Sequence, residues 1–389
     1  MRMSDEQCQL LGGISPAEFL QTYWQKKPYL IRQAISCSSP FISVDELFQL
    51  ARDQYVESRL VIEKGGDYPW QVLPGPMDDS TYTNLPDSHW SLLVQGVNFH
   101  NKQAALLLKR FSFIPNWRID DLMVSYACKE GSVGPHLDSY DVFLLQSFGK
   151  RRWYISSDRY MDQDFLNGTD LRIIANFNSD QEWDLNPGDM LYLPPGVAHH
   201  GIALDECMTC SIGFRAPTRH ELLTGYLERI YDPETDTQYR DPDMQVQEQA
   251  GEIRMEDLLK IRKIMHSSLE NSRDIDRWFG SYITSVPAEN IHETPLEFTD
   301  QKGFSYFIST KPCFRLHHAS RTAFLRAGEG LLLFVNGREY PLSGNCLELV
   351  SNITGTGIVD CSEMDQIVLS ECTEVLLDLY NKGEMFNVQ

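Results

Sequence analysis

Between residues 120 and 215 the sequence runs through "DLMVSYAC", "YDVFLLQSF", "RRWYIS", "RIIANF", "DMLYLPP" and "CMTCSIGF". Each run is short and β-rich, and Gly, Pro, Asn or Asp separates it from the next. Regular short strands with turn residues between them point to a sandwich or barrel. Asn186-Pro187-Gly188-Asp189 and Pro194-Pro195-Gly196 are the strongest turn markers. With 389 residues, the chain is long enough for two or three domains around a large buried core.

The flanks read differently. Ser15-Pro16-Ala17-Glu18 and Ser43-Val44-Asp45-Glu46 carry the S-x-x-E capping pattern, the first with proline at the opening helical position. They predict helices through "EFLQTYWQ" and "LFQLARD". "SRLVIEK" and "WQVLPGP" predict strands, while "WSLLVQGVNF" fits a strand or a buried helix. After Phe214, Thr218-Arg219-His220-Glu221 caps a helix through "LLTGYLERIY". The acidic stretch 232–252 has no apolar period and reads as a loop or linker. Leu258, Ile261, Met265 and Leu269 then recur at helical spacing, giving one apolar face. The C-terminal part mixes short strands ("FRLHH", "LLLFVNG") with a helix ("DQIVLSECTEVLLDLY").

Charge narrows the partners. The formal net charge of −21 repels nucleic-acid phosphates and anionic membranes. It attracts cationic partners, of which Lys/Arg-rich ribosomal proteins are the natural class; solubility alone is the plainer alternative. No apolar run reaches the about 18 residues of a membrane span. Residues 1–16 lack the basic-then-apolar form of a signal peptide. The nine scattered cysteines read as reduced thiols of a cytoplasmic protein.

The chemistry concentrates in "GPHLDSYDVFLLQSFGKRRWYI", residues 134–155. In a strand, residues i and i+2 share a face, so His136 and Asp138 can approach one metal ion together. A second histidine from a neighbouring strand would complete the 2-His-1-carboxylate triad of non-haem Fe(II) oxygenases, which leaves positions open for cosubstrate and dioxygen. "YLPPGVAHHGIA" offers His199 and His200. If that segment is extended, the two point to opposite faces and only one reaches the metal. An H-x-D alone is a weak signal. Here it follows a Gly-Pro turn and precedes an apolar run, and a Pro-Pro-Gly turn leads into the histidines. A cationic cluster, Lys150-Arg151-Arg152, lies between. Oxygenases that use 2-oxoglutarate need a fixed cation for its distal carboxylate, and arginine offers bidentate geometry.

With these segments in view, the sequence resembles the bacterial JmjC-type ribosomal oxygenases, cupin-like 2-oxoglutarate- and Fe(II)-dependent protein hydroxylases. The resemblance runs through most of the chain, including "FLQTYWQKKPYLIRQA", "ESRLV", "WQVLPGP", "DDLMVSYA", "NPGDMLYLPPGVAHHGIA" and "SIGFRAPTRHELL". It implies His136, Asp138 and His199 as iron ligands, Arg151 as the partner of the 2-oxoglutarate distal carboxylate, and Ser125 as a hydroxyl beside the cosubstrate. It implies an α+β fold with a double-stranded β-helix core. By that resemblance, residues 1–95 are N-terminal helices and strands flanking the core. Residues 96–216 are the JmjC catalytic core, 217–295 a helical dimerisation region, and 296–389 a winged-helix-like domain. The implied substrate is a basic ribosomal protein, foremost an arginine of the sixteenth large-subunit protein, acted on by a homodimer. Histidine hydroxylation, demethylation of another basic protein and a catalytically silent ribosome-binding cupin are the alternatives.

Other conspicuous residues have ordinary readings. In Cys207-Met208-Thr209-Cys210 the odd spacing sends the thiols to opposite faces of a strand, against a shared zinc. His317-His318 lacks a carboxylate at useful spacing and reads as a strand-end pair, and His100 as a hydrogen-bonded core or edge residue. Tyr140, Asp141 and Arg152 either line a peptide cleft or satisfy neighbours. Residues 301–389 carry ten acidic and seven basic side chains, with no Lys or Arg between Arg338 and Lys382, which speaks against DNA.

Overall fold

The structure is a computed structural model that describes residues 5–388 apart from 37–39, 66–69, 168–170, 216, 235–237, 243, 245, 247–250, 252, 268, 271, 287–300, 311 and 363. The turn-separated runs become strands of two antiparallel sheets. The larger is built from β1 (Tyr29–Ile31), β2 (Ser58–Glu63), β3 (Trp70–Pro74), β4 (Trp90–Val94), β5 (Ile119–Ala127), β7 (Asp141–Phe148), β10 (Met190–Leu193) and β12 (Cys207–Phe214). Its order is β1-β10-β7-β12-β5-β4-β2-β3. The smaller sheet, ordered β6-β11-β8-β9, holds β6 (His136–Leu137), β8 (Arg151–Ser156), β9 (Gln181–Leu185) and β11 (Ala198–Ala203). The ambiguous "WSLLVQGVNF" resolves as β4 followed by a 3-10 turn over Val97–Phe99.

The larger sheet divides its residues by the two-residue period of a strand. Leu122, Val124 and Tyr126 of β5 join Cys210, Ile212 and Phe214 of β12 in the main core. Helices cover that face: α1 (Asp5–Leu10), α2 (Pro16–Thr22), α3 (Val44–Leu50) and α5 (Lys102–Lys109), with α4 (Asp79–Thr83) between the last two in sequence. Phe19, Leu47 and Leu107 are buried there. The alternate residues, Met123 and Ser125 of β5 and Thr209 and Ser211 of β12, face the smaller sheet and line a cleft between the sheets. Val142, Leu144, Trp153, Ile155 and Leu191 close the cleft floor as a second apolar cluster. The two facing sheets form the expected double-stranded β-helix within a mixed α+β chain.

Two expectations need correction. His136 and Asp138 do not lie on one strand. β6 ends at Leu137, and the chain crosses at residues 138–140 from the smaller sheet to β7 in the larger. "RIIANF" is not a strand; it forms a single bridge, Phe165 to Ile174, and otherwise lies as irregular chain at the cleft mouth. Its β-branched residues have strand propensity, but they cover the cleft instead of joining a sheet edge.

Helix signals hold well. Ser43 and Thr218 form complete capping boxes at α3 and α6 (Arg219–Ile230). Ser15 accepts from Glu18 N, and α2 ends at Thr22, earlier than the pattern suggests. The long periodic segment splits into α7 (Met255–Ser267) and α8 (Ser272–Thr284). The described residues of 232–252 carry no helix or strand, and the boundary expected near 295 lies outside the described residues. The C-terminal part contains α9 (Gln301–Ser309), α10 (Leu347–Gly355) and α11 (Gln366–Asn381) with two three-stranded sheets around a core of its own.

Candidate active site

His136 and His199 are direct cross-strand partners on β6 and β11, and Asp138 follows one residue after β6. Their ligand atoms and the Asp138 carboxylate all lie within 4.8 Å of one another. The two imidazole centroids are 4.3 Å apart, and His199 Nε2 is 3.8 Å from Asp138 Oδ2. Among the described residues this is the only cluster of three or more such side chains with metal-ligand geometry. Asp138 is held by its backbone, whose carbonyl accepts from Gly196 N at 2.8 Å, so the Pro-Pro-Gly turn fixes the carboxylate relative to β11.

The protonation of the rings follows from their partners. His136 Nδ1 donates to Gly134 O at 2.9 Å, and His199 Nδ1 donates to Val197 O at 3.0 Å. A carbonyl only accepts, so Nδ1 carries the proton and Nε2 keeps a lone pair toward Asp138. Burial, then the neighbouring His136, pulls the His199 pKa down to about 4, which keeps it neutral near pH 7. Two imidazole nitrogens and one carboxylate oxygen fit a divalent iron with open positions.

His200 faces the other way. Its Nε2 lies 3.0 Å from Ser132 Oγ, and Phe177 and Tyr154 pack against the ring. The two adjacent histidines therefore separate as an extended segment requires.

Arg151 lies on β8 in the same cleft and is buried. Its Nη1 donates to Ser125 Oγ at 3.3 Å and to Thr209 Oγ1 at 3.4 Å, and the guanidinium stands 5.3 Å from the Trp153 ring centroid. Arg151 Nε and Trp153 Nε1 are buried without a hydrogen-bond partner. No acidic side chain pairs with Arg151 among the described residues. A buried cation without a counter-ion is costly, and burial pulls its pKa down. A carboxylate bound in the cleft would satisfy these donors. Thr209 is oriented by its own bond to Gln146 Oε1 at 2.9 Å. The cleft measures about 400 Å³ and is lined by both the metal-ligand cluster and Arg151. That size suits a small dicarboxylate plus one side chain.

The neighbours sort themselves. Arg152 points outward and holds Asp184 through two hydrogen bonds, at 2.5 and 2.8 Å. Asp141 is buried and structural, accepting from Tyr192 Oη, Gln25 Nε2 and Arg118 Nη2. Tyr140 lines the cleft. Cys207 and Cys210 belong to different apolar clusters, so they share no site. His317 Nδ1 accepts from Ala319 N and His318 Nε2 meets Phe99 O, which makes them a structural strand-end pair.

Sequence reasoning missed Thr209, Asp121 and the Leu171–Ile173 segment. Thr209 enters the site only through the register that sets it opposite Ser125. Asp121 lines the cleft and accepts from Gly96 N at 2.8 Å. Burial, then Asp120 beside it, raises its pKa to about 7. Asp120 meanwhile accepts from Arg215 Nε at 2.8 Å and from Arg321 Nη2 at 3.1 Å.

Known proteins share the fold and much of the sequence. Residues 106–222 match the JmjC domain. The chain is 38% identical to the ribosomal protein uL16 3-hydroxylase of Escherichia coli (strain K12), over 69% of this chain and 70% of that protein. It is 33% identical to a probable ribosomal oxygenase of Haemophilus influenzae, over 72% and 70% of the two chains. The structure of YcfD, a ribosomal oxygenase from Escherichia coli in complex with cobalt and 2-oxoglutarate, superposes with a TM-score of 0.80 at 30% identity, covering 97% of this chain and 99% of that one.

Proposed function

This chain belongs to the JmjC-domain ribosomal oxygenases, which are 2-oxoglutarate- and Fe(II)-dependent hydroxylases, and from that premise we propose that it hydroxylates an arginine side chain of ribosomal protein uL16. The observation that carries this reading is the buried Arg151 guanidinium, unpaired with any acid among the described residues and sharing one cleft with His136, Asp138 and His199. In this reading His136 Nε2, His199 Nε2 and one Asp138 oxygen hold the iron. When bound, iron supplies dioxygen activation coupled to 2-oxoglutarate decarboxylation, and one oxygen atom enters an unactivated C–H bond.

The protein's part is orientation and exclusion of water. Arg151, with Ser125 and Thr209 at its Nη1, receives the distal carboxylate of 2-oxoglutarate by a charge-assisted pair. Trp153 covers the guanidinium face. Asp121 stands on the cleft wall near Tyr140, where a substrate guanidinium finds a carboxylate. Leu171 and Ile173 close the mouth over apolar surface.

The remainder of the chain fits a dimeric, acidic receptor for a basic protein. None of the described α7 side chains is buried, and Leu259, Ile264 and Met265 are 56, 51 and 66% exposed. We read residues 217–295 as a dimerisation region that covers this face, and 296–389 as a winged-helix-like unit that does not bind DNA. Three of its basic side chains are already paired with acids: Arg321 with Asp120, Arg338 with Glu384 and Lys382 with Asp378. No helix among the described residues is long and apolar enough to cross a membrane, and the eight described cysteines are free thiols, in keeping with a cytoplasmic enzyme. The deciding experiment incubates the protein with Fe(II), 2-oxoglutarate and uL16, then reads tryptic peptides by mass spectrometry. One added oxygen on an arginine is expected. Oxygen on a histidine, or loss of a methyl group, would replace this substrate assignment, and no succinate release would overturn the enzyme reading.

A further inference from the structure

A second, larger cavity lies between the sheet core and the C-terminal unit, about 790 Å³ against about 400 Å³ for the catalytic cleft. One wall comes from α5 and the turn through Trp117. The other comes from the strand Cys313–Leu316, the turn after it, the end of α10 and the last residues of the chain. Phe99, Leu106, Trp117, Ile353 and Phe386 make much of it apolar.

Its charges are one-sided. Lys102, Lys109, Arg315 and Arg321 line it, and among the described residues Asp120 is the only acid that does. Asp120 is already engaged by Arg215 and Arg321. Lys109 Nζ reaches the Thr356 carbonyl at 2.5 Å and lies within the field of Arg315. The Arg315 guanidinium has no hydrogen-bond or ion-pair partner among the described residues. In a chain of net charge −21, cations usually find acids. Here two like charges converge on an apolar cavity with no acid between them. A cavity of this volume, apolar with a few convergent polar groups, has the form of a small-molecule site. An arginine in such a setting favours a planar anion.

We propose that this cavity binds a small amphipathic carboxylate, its charge held by Arg315 and Lys109 and its apolar body packed between Trp117 and Phe386. The ligand class is a free aliphatic or aromatic acid. A dicarboxylate such as 2-oxoglutarate lacks the apolar body, so the two cavities select differently.

The test is titration calorimetry on the full chain loaded with Mn(II) and 2-oxoglutarate, which occupy the catalytic cleft. The probes are decanoate and the neutral decanol. Decanoate is expected to bind at one site per chain and decanol at least tenfold more weakly. Arg315→Gln should weaken decanoate about tenfold or more, the loss of one charge-assisted pair. Ala105→Trp, which places bulk at the lining, should abolish binding, while Arg326→Gln, on an exposed strand position, should leave it unchanged. Arg315→Gln strands no partner among the described residues, so it should melt with the parent. Equal affinity for decanol and decanoate, unchanged affinity in Arg315→Gln, or no heat from decanoate with the parent protein would each overturn the proposal.

Discussion

His136 and His199 face each other across β6 and β11, and each ring donates from Nδ1 to the carbonyl two residues before it, Gly134 in one case and Val197 in the other. The same local device thus leaves Nε2 of both imidazoles free as a ligand atom close to the Asp138 carboxylate. His200 is held by Ser132 instead. We therefore expect His199→Ala to lose Mn(II) or Fe(II) binding and turnover, and His200→Ala to keep most of both. Calorimetry with Mn(II) and succinate release measure the two. Metal retained by the first variant and lost by the second would reverse the assignment.

Arg151 is expected to set affinity for 2-oxoglutarate and little else in the site. Arg151→Gln deletes a charge-assisted pair worth roughly 1.5–3 kcal/mol, so affinity should fall about tenfold or more. Arg152→Gln breaks only an outward pair with Asp184 and should leave 2-oxoglutarate binding intact. Metal affinity serves as the control for folding in both.

Asp121 gives the pH dependence. Its carboxyl is raised from 3.8 to about 7, so the anion that would receive a substrate cation is present above pH 7 and is lost as pH falls through it. KM for a uL16 peptide should therefore rise between pH 8 and pH 6, and Asp121→Asn should raise KM and flatten the profile. Succinate release without peptide should not change. The sign for stability is opposite: because the folded pKa is raised, Asp121 favours the folded state below 3.8 and loses that contribution as pH climbs through 7.

The exposed α7 face should control oligomeric state. Met265→Glu places a charge on the apolar face and is expected to shift the protein to monomers by light scattering. A dimer unchanged by this variant would place the interface elsewhere.

Charge should control partner choice. Substrate affinity is expected to weaken as salt rises, since exposed charges are screened over about 10 Å at 0.1 M. Duplex DNA should give no anisotropy change at physiological salt. A salt-insensitive peptide complex, or a tight DNA complex, would count against the acidic-receptor reading.

Much of the site was legible because it rests on short-range pattern. The H-x-D spacing, the Pro-Pro-Gly turn and the alternation of His199 with His200 all express the two-residue period of extended chain. The same period turns Arg151 inward and Arg152 outward. Thr209 and Asp121 were not legible, because their place in the cleft depends on how β12 and β5 pair, and that pairing carries an irregularity between Ile212 and Phe214. "RIIANF" misled because strand propensity describes a half-buried apolar segment, whether it joins a sheet or covers a cleft. Capping boxes located α3 and α6 well, since one side chain and one backbone N–H decide them locally.

Arg321 belongs to the C-terminal unit, yet its guanidinium grips both the carboxylate and the backbone carbonyl of Asp120 on the cleft wall. An engineer who transplanted the double-stranded β-helix alone would leave that wall half-anchored, with Arg215 its remaining clasp. The core is therefore not an interchangeable cassette. Substitutions that retune substrate choice at Asp121 should be screened in the intact chain, because the last domain is part of the tooling that holds the neighbouring residue in place.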